Sequence, residues 1–300
     1  MPAVVNLDGA IVPAAQAAVS VFDRGFLSGD QVYEVVRTYG LAPFALAQHL
    51  ARLRHSAGRI GLPLPWTPER LAAELLRTVE ASRGGDPPDP LAAPWNRGER
   101  SVRLVVTRGA AEEARGWGVA PGPRVLLAAT PLRGPPQAAY QDGVACILVH
   151  ARVARSDPGA KTGGHLAEAL ATRDAAAAAA HEALLLDAAG QVTEGASSNL
   201  FLVAGGGVAT PPLAAGILPG VTRGLVLALA REAGLPVAER PLGPADLRDA
   251  EELFLTSTSR EILPVTRLDG APVGPGTPGP VTARLHALFR QQATGQAGPG

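Results

Sequence analysis

Lysine is almost absent from this chain. Of its 27 basic residues only Lys161 is a lysine, and the other 26 are arginines. Arginine can supply ion pairs and phosphate contacts, but it cannot lose its proton to become a nucleophilic amine. A chain that keeps one lysine is therefore expected to use that amine in chemistry. Chance retention in an arginine-biased genome is the alternative.

Cysteine is equally scarce. The single Cys146 excludes an intramolecular disulfide framework and a cysteine-based zinc cluster, and it is compatible with a reducing cytoplasm. Cys146 lies in the apolar run 144–149, so it is interpreted as a small core residue rather than a nucleophile.

Net charge and long apolar runs are also lacking. The formal charge is zero and no block of like charges occurs, so we expect no nucleic-acid partner and no membrane-surface partner. No window approaches 18 uninterrupted apolar residues, and no basic segment leads into an apolar stretch at the N-terminus. No cluster with metal-ligand spacing is present. These features predict a soluble cytoplasmic globular protein.

The pattern of apolar residues and turns predicts two α+β units. Residues 1–130 form the smaller N-terminal unit, 131–136 (PLRGPP) a linker, and 137–300 the larger C-terminal unit. Residues 83–98 have no periodicity and are expected to form a loop. The remaining pattern predicts helices over 46–60, 68–81, 166–181, 222–233 and 281–291, and strands over 4–7, 11–12, 31–39, 101–107, 124–130, 144–150, 182–187, 199–203 and 252–256.

Two local motifs carry groups suited to a heteroaromatic cofactor. Lys161 lies in DPGAKTGGHLAEAL, where small neighbours leave space for a flat ligand against the backbone. A lysine that forms a Schiff base needs a lowered pKa, which partial burial beside other cations supplies. Glu194 lies at the strand-to-loop turn of VTEGASSNLFLV, where its carboxylate could pair with a protonated ring nitrogen.

Three further elements are suited to a phosphate. Val221 and Thr222 of ILPGVTR offer free backbone N–H groups at a predicted helix start. The hydroxyl cluster 256–259 follows a strand, and Arg52 lies on a packed helix. Alone, the hydroxyls could be loop caps and Arg52 a surface residue. Together with the amine and the carboxylate, these elements indicate a pyridoxal 5'-phosphate site.

With these motifs the chain resembles the fold-type IV (class IV) pyridoxal-phosphate enzymes, which are the branched-chain aminotransferases, D-amino-acid aminotransferases and aminodeoxychorismate lyases. The resemblance covers residues 4–290 and includes SVFDRGFLSGDQVYEVVRTYG, HLARLRHSAGRIGL, VRLVVTRG, KTGGHLA, LLLDAAGQVTEGASSNLFLV, GILPGVTR and ELFLTSTSREILPV. It implies an α+β, two-domain fold like that of D-amino-acid aminotransferases. A smaller N-terminal α/β domain would precede a larger cofactor-binding domain, in a homodimer with the active site near the interface.

The resemblance also implies roles for individual residues. Lys161 would be the catalytic residue, forming the Schiff base and moving the substrate proton, and Glu194 would keep the ring nitrogen protonated. The other cofactor-binding residues would be Arg52, Val221, Thr222, Ser257 and Thr258 at the phosphate, Leu218 at the ring face, and Ser198 farther out. Branched-chain enzymes carry a tyrosine five residues after the lysine, and this chain has Leu166 there.

The expected substrate residues point to more than one subfamily. The strand GDQVYEVVR resembles that of D-amino-acid aminotransferases, and the lyases carry a threonine where this chain has Val35. Arg115 could clamp a carboxylate, yet RGW at 115–117 is similar to the RGY of the lyases. The substrate residues implied are Phe26, Tyr33, Val35, Arg37, Arg115 and Trp117.

The expected function is transfer of an amino group from an α-amino acid to a 2-oxo acid. The pocket strand favours D-amino acids, and branched-chain L-amino acids or (R)-amines are further substrates to consider. The alternative is an aminodeoxychorismate lyase that forms p-aminobenzoate and pyruvate. A cofactor-binding protein without turnover is a third alternative, which the intact set of Lys161, Glu194 and Arg52 disfavours.

Overall fold

The computed structural model describes residues 4–84, 90–110, 122–151, 157 and 159–295. Its strands are β1 (Val4–Leu7), β2 (Ala10–Pro13), β3 (Gln31–Tyr39), β4 (Ala42–Pro43), β5 (Arg100–Thr107), β6 (Arg124–Pro131), β7 (Val144–His150), β8 (Glu182–Leu186), β9 (Val192–Gly195), β10 (Asn199–Ala204), β11 (Gly207–Thr210), β12 (Val237–Glu239), β13 (Glu252–Ser257), β14 (Glu261–Leu268) and β15 (Ala271–Pro272). Its helices are α1 (Arg24–Ser28), α2 (Leu46–Arg59), α3 (Pro68–Ala81), α4 (Gln137–Gln141), α5 (Leu166–Ala177), α6 (Val221–Glu232), α7 (Pro244–Arg248) and α8 (Pro280–Gly295).

The first half of the chain is built on a six-stranded sheet with the order β2-β1-β6-β5-β3-β4. Every strand pair in it is antiparallel, so strands and helices are segregated rather than alternating as in an α/β unit. Helices α2 and α3 cover one face, where Leu53 and Leu75 pack with Val36 and Leu104. Helix α3 begins where the sequence predicts, with the Thr67 side chain accepting from the backbone N–H of Arg70.

The second half is built on a nine-stranded mixed sheet. Its order is β12-β11-β10-β13-β14-β7-β8-β9, with β15 beside β14. Apolar clusters lie on both faces of this sheet, one around Leu184 and Leu253 and the other around Phe201 and Phe254. The first sheet ends at Pro131 and the second begins at Val144, and the domain division at 131–136 stays a prediction.

The prediction lacks the short elements β4, β9, β11, β12, β15, α1, α4 and α7, and two longer elements also differ from it. Helix α5 ends at Ala177 rather than at 181, because Ala179 adopts a positive φ of 53° and the chain turns directly into β8. The run of alanines contains no stop signal that the sequence alone could show. Strand β14 is absent from the prediction because Pro264 interrupts its pattern. Pairing with β7 begins only at Val265, so Pro264 lies where a strand can dispense with an N–H.

None of the helices within the described residues combines the length and apolar character needed to cross a membrane. Of the predicted loop 83–98, residues 85–89 lie outside the described part of the chain.

Candidate active site

A cavity of about 350 Å³ lies where the two halves of the chain meet. The first half contributes Tyr33, Val35, Arg52 and Arg103 to its wall. The second half contributes the segments around Lys161, Glu194, the start of α6 and the loop between β13 and β14. The predicted cofactor residues are distant from one another in the sequence, and the fold brings all of them to this one cavity: Arg52, Lys161, Glu194, Ser198, Leu218, Val221, Thr222, Ser257 and Thr258.

The backbone of Lys161 is fixed against the first half of the chain. Its carbonyl accepts from the N–H of Tyr33 at 3.0 Å, and its N–H donates to Ser56 Oγ at 3.0 Å. The N–H of Gly163 donates to the carbonyl of Gln31 at 3.0 Å. Because the backbone of the lysine segment makes these bonds, they hold the segment beside β3 independently of the Lys161 side chain. The amine nitrogen lies 4.4 Å from the centre of the Tyr33 ring.

One glycine beside the lysine, Gly163, serves a different purpose from the predicted one. A Cβ on Gly163 would come within 2.7 Å of the Gly29 carbonyl oxygen and 2.8 Å of the Gln31 side chain. Gly164 has a φ of 87°. Gly163 therefore permits the close approach of two backbone segments, rather than leaving space for a flat ligand.

The carboxylate of Glu194 is held at the end of β9. The side chain is 6% exposed, and its Oε2 accepts from Asn199 Nδ2 and from the backbone N–H of Leu218, each at 3.1 Å. Asn199 also donates to the Leu218 carbonyl at 3.0 Å. This geometry fixes an anionic oxygen at the cavity wall, which suits the stabilisation of a protonated ring nitrogen.

The start of α6 gives the cavity a side that is suited to an anion. Gly220 is the N-cap of this 12-residue helix, and the N–H groups of Val221 and Thr222 have no carbonyl partner within the helix. Arg52 adds a positive charge there, since its Nη1 donates to the carbonyl of Pro219 at 3.1 Å. Backbone dipoles and a guanidinium thus converge on one point.

Two buried hydroxyls complete this side. In the part of the chain that the structure describes, Thr256 Oγ1 and Ser257 Oγ have no hydrogen-bond partner, and both residues line the cavity together with Thr258. Buried hydroxyls are rarely left unpaired, so their lack of a protein partner fits a ligand rich in acceptor oxygens. The residues present therefore fit a phosphorylated heterocycle such as pyridoxal 5'-phosphate. Thr256 is an addition to the residues expected at the phosphate.

Ser198 lies at the cavity, but its hydroxyl is already engaged. It donates to Glu182 Oε2 at 3.0 Å, and Ser197 Oγ donates to Glu182 Oε1 at 2.9 Å. Arg260 also binds Glu182, with Nη1 at 2.7 Å from Oε2. These contacts connect the Glu194 turn to the loop between β13 and β14, which carries Arg260. Cofactor binding by Ser198 stays a prediction.

Only some of the predicted substrate residues line the cavity. Tyr33 and Val35 line the cavity. Phe26 does not line it and is 70% exposed. Arg115 and Trp117 lie outside the described residues.

Arg37 also lies outside the cavity, contrary to the expectation from the strand pattern. Alternation places residue 37 on the same side of β3 as Tyr33 and Val35. At residue 37, however, the strand lies beyond the cavity. The Arg37 side chain is only 1% exposed and forms an ion pair with Glu261 at 2.9 Å.

Arg103 on β5 is a cavity residue that the sequence did not predict. It lies opposite Val35 in the antiparallel register and lines the cavity, with its guanidinium carbon 4.2 Å from the centre of the Tyr33 ring. Its side chain is exposed, and no carboxylate among the described residues forms an ion pair with it. An arginine at a polar position of the strand RSVRLVVT was the available signal.

A buried ionic cluster supports Arg52. Arg52 and His49 both contact the carboxylate of Glu34, which is fully buried on β3. Burial alone would raise the pKa of Glu34, but the hydrogen bonds and charges of Arg52 and His49 lower it to about 2. The carboxylate is therefore ionised throughout the neutral range.

The depressed pKa of Glu34 predicts a defined loss of stability in acid. Because the pKa is about 2 in the folded protein and near 4.5 otherwise, the stabilisation is complete above pH 4.5 and is lost as the pH falls toward 2. Its full size is on the order of 3 kcal/mol. Urea unfolding of the parent and of Glu34→Gln should be measured between pH 6 and pH 3.5. The difference between their free energies of unfolding should become smaller as the pH falls. A constant difference would contradict the ionised state of Glu34.

Comparison with known proteins agrees with this geometry. The class IV aminotransferase model matches residues 31–268. A D-alanine aminotransferase of Bacillus licheniformis is 35% identical over 287 residues, which are 95% of each chain. The solved branched-chain aminotransferase of Thermoproteus uzoniensis with norvaline has a TM-score of 0.86 at 30% identity, covering 98% of this chain and 96% of that one.

A second solved structure contains the aminated form of the cofactor. The branched-chain aminotransferase of T.th. with pyridoxamine 5'-phosphate has a TM-score of 0.83 at 30% identity, covering 98% of this chain and 95% of that one. Class IV aminotransferases are pyridoxal-phosphate enzymes. These relatives confirm the predicted fold class and favour transamination over the lyase alternative. The chain therefore belongs to the class IV aminotransferase family.

Proposed function

We propose that this protein uses pyridoxal 5'-phosphate to transfer the amino group of a D-α-amino acid to a 2-oxo acid. The observation that carries the proposal is that the Lys161 amine and the Arg103 guanidinium lie near the same tyrosine ring. Arg103 forms no ion pair with a carboxylate among the described residues. The Lys161 amine and the Arg103 guanidinium both lie within 4.4 Å of the Tyr33 ring centre. A small substrate can therefore place its α-carbon at the amine and its carboxylate at the arginine.

The cavity residues divide the remaining work. Arg52, the start of α6 and the hydroxyls of Thr256, Ser257 and Thr258 would hold the phosphate. Glu194 would hold the proton on the ring nitrogen. The bound cofactor supplies an electron-withdrawing ring that stabilises negative charge at the substrate α-carbon. Lys161 would take the proton from that carbon and return it to the product.

Relatives and the pocket strand support a D-amino acid as the donor. The strand GDQVYEVVR places the Tyr33 hydroxyl-bearing ring in the cavity, and the Bacillus licheniformis relative is a D-alanine aminotransferase. A branched-chain L-amino acid is the second candidate, since the Thermoproteus uzoniensis structure with norvaline has the same fold. Against it, Leu166 takes the place of the expected tyrosine, is 59% exposed and does not line the cavity.

The deciding experiment is a titration of the cofactor-loaded protein with D-alanine and, separately, L-leucine, followed by visible absorption. We expect D-alanine to convert the spectrum to that of the aminated cofactor and L-leucine to leave it unchanged. The opposite result would establish the branched-chain assignment. If neither amino acid acts, amino-acid transamination by this site is refuted, and an (R)-amine is the next donor to test.

Arg103 provides a sharper test of the carboxylate. Arg103→Met should lower kcat/KM for D-alanine about 10- to 100-fold, because a charge-assisted hydrogen bond of about 1.5–3 kcal/mol is lost. Turnover of an (R)-arylethylamine, which has no carboxylate, should not fall. Arg133→Met, an exposed arginine outside the cavity, is the matched control. Equal losses on both donors would exclude Arg103 as the carboxylate-binding residue.

We also infer that the protein acts as a homodimer in the cytoplasm. A short segment before β3 exposes the apolar side chains of Val19, Val21, Phe22, Phe26 and Leu27, each more than 40% exposed. Apolar clusters of this kind are typical of interfaces. Sedimentation of a fully active monomer would refute the dimer. The cytoplasmic location rests on the composition and on the single thiol, and it stays a prediction.

A further inference from the structure

A buried carboxylate lies directly behind the phosphate side of the cavity, and the proposed reaction does not use it. Glu34 is on β3 and is fully buried. Its Oε1 accepts from Arg52 Nε, and its Oε2 accepts from Arg52 Nη2, each at 2.7 Å. The pair is bidentate, which is the geometry that fixes both the position and the plane of a guanidinium.

His49 completes the cluster from the same helix as Arg52. Its Nδ1 lies 2.7 Å from Glu34 Oε2, and the residue is 2% exposed. A buried carboxylate is costly unless it is fully paired, and here both oxygens are engaged. The pKa of Glu34, at about 2, keeps the carboxylate ionised and therefore bound to Arg52 at any working pH.

Arg52 keeps hydrogen-bond donors that its protein partners do not use. Three of the five N–H bonds of a guanidinium are used, two by Glu34 and one by the Pro219 carbonyl. One N–H remains on each terminal nitrogen, and Arg52 lines the cavity. Pro219 directly precedes Gly220, the N-cap of α6, so the same guanidinium is fixed to the helix start that would meet the phosphate.

We propose that Glu34 and His49 are positioning residues that fix the Arg52 guanidinium for the cofactor phosphate and thereby make the protein selective for phosphorylated pyridoxal. This inference rests on the proposed function, because it takes pyridoxal phosphate as the ligand. An arginine on a free side chain would have to be ordered on binding. One already held in place binds the phosphate without that entropic cost.

The test compares pyridoxal 5'-phosphate with pyridoxal, which lacks only the phosphate. Lys161 and Glu194 face groups that the two ligands share, so the ratio of the two dissociation constants isolates the phosphate contribution. Equilibrium dialysis of cofactor-free protein gives both constants. In Glu34→Gln we expect pyridoxal phosphate to bind about 10- to 100-fold more weakly and pyridoxal to bind as in the parent.

Two further variants keep the test decisive. His49→Leu removes one partner of Glu34 without touching Arg52, and it should reduce the phosphate contribution by a smaller factor. If circular dichroism shows that Glu34→Gln does not fold, the dissociation constants of His49→Leu alone provide the test. Val36→Ala is the matched control, since Val36 is equally buried two residues along β3 and packs in the apolar core with Leu53 and Leu104. It should destabilise the protein and leave the ratio unchanged.

The outcomes separate this inference from the function beneath it. If the parent binds pyridoxal phosphate no better than pyridoxal, the proposed function fails. If the parent discriminates but the Glu34 and His49 variants weaken both ligands equally, the cluster is merely structural and the positioning role is overturned. A selective loss of phosphate-dependent affinity, with the control unchanged, establishes it.

Discussion

Lys161→Ala is expected to lower kcat by about 10³-fold or more, because the variant has no amine to carry the substrate proton. The cofactor should still bind, since the phosphate-facing elements and Glu194 do not depend on the lysine side chain. The segment should also stay in place, because its hydrogen bonds to Tyr33 and Ser56 are made by the backbone.

Two readouts check that prediction independently of turnover. Borohydride reduction followed by mass spectrometry should attach the cofactor covalently to the parent and not to the variant. Added methylamine should restore part of the activity of Lys161→Ala, because a small amine can enter the space of the missing side chain. Lys161→Arg is the matched control: it keeps the charge, lacks a nucleophilic amine and should be equally inactive. Parent-level turnover in either variant would exclude Lys161 as the catalytic residue.

Local motifs explain why so much of the cofactor side could be predicted. The start of α6 and the turn at Glu194 each consist of a short contiguous segment whose chemistry is complete in itself. Helix capping and turn geometry act over a few residues, so the sequence shows them directly. The resemblance to class IV enzymes then assigned these separate segments to one ligand, and the fold brings them to one cavity.

The errors arose where a residue's partner is distant in the chain. Arg37 has the alternation of a cavity residue, but its carboxylate partner Glu261 lies 224 residues later. Arg103 comes to the cavity through the register of β3 with β5, which a single sequence does not specify. Strand β14 was missed for a related reason, since Pro264 is tolerated only because of where β7 begins to pair.

The second large effect is expected on the free energy of unfolding and concerns Glu261, the ion-pair partner of Arg37. Glu261 is fully buried and has a φ of 59°, which is unusual for a residue other than glycine. Arg37 Nη1 and the Tyr39 hydroxyl donate to it at 2.9 and 2.7 Å, and His286 Nε2 lies 2.6 Å away. Burial alone would raise the pKa of Glu261, but His286 and Arg37 hold it below its ordinary value.

Glu261→Gln should lower the free energy of unfolding by about 3–5 kcal/mol, because the Arg37 charge is left buried without an anion. Urea unfolding at neutral pH measures the loss, and Glu232→Gln, on the exposed side of α6, should change stability by less than about 0.5 kcal/mol. Adding Arg37→Met to Glu261→Gln should recover part of the loss. Since the pKa of Glu261 is lowered, the difference from the parent should narrow as the pH falls below 4.5.

The position of Glu261 extends this prediction to the active site. It is the first residue of β14, directly after the loop 258–260 that follows Ser257 and carries Thr258, and Arg37 lies on the strand that carries Tyr33 and Val35. The ion pair therefore connects the strand that brings Tyr33 and Val35 to the cavity with the start of β14, next to the loop that brings Thr258 to it. Glu261→Gln should accordingly weaken binding of pyridoxal phosphate even below the urea concentration at which it unfolds. Parent-like affinity would show that the pair stabilises the fold without setting the geometry of the site.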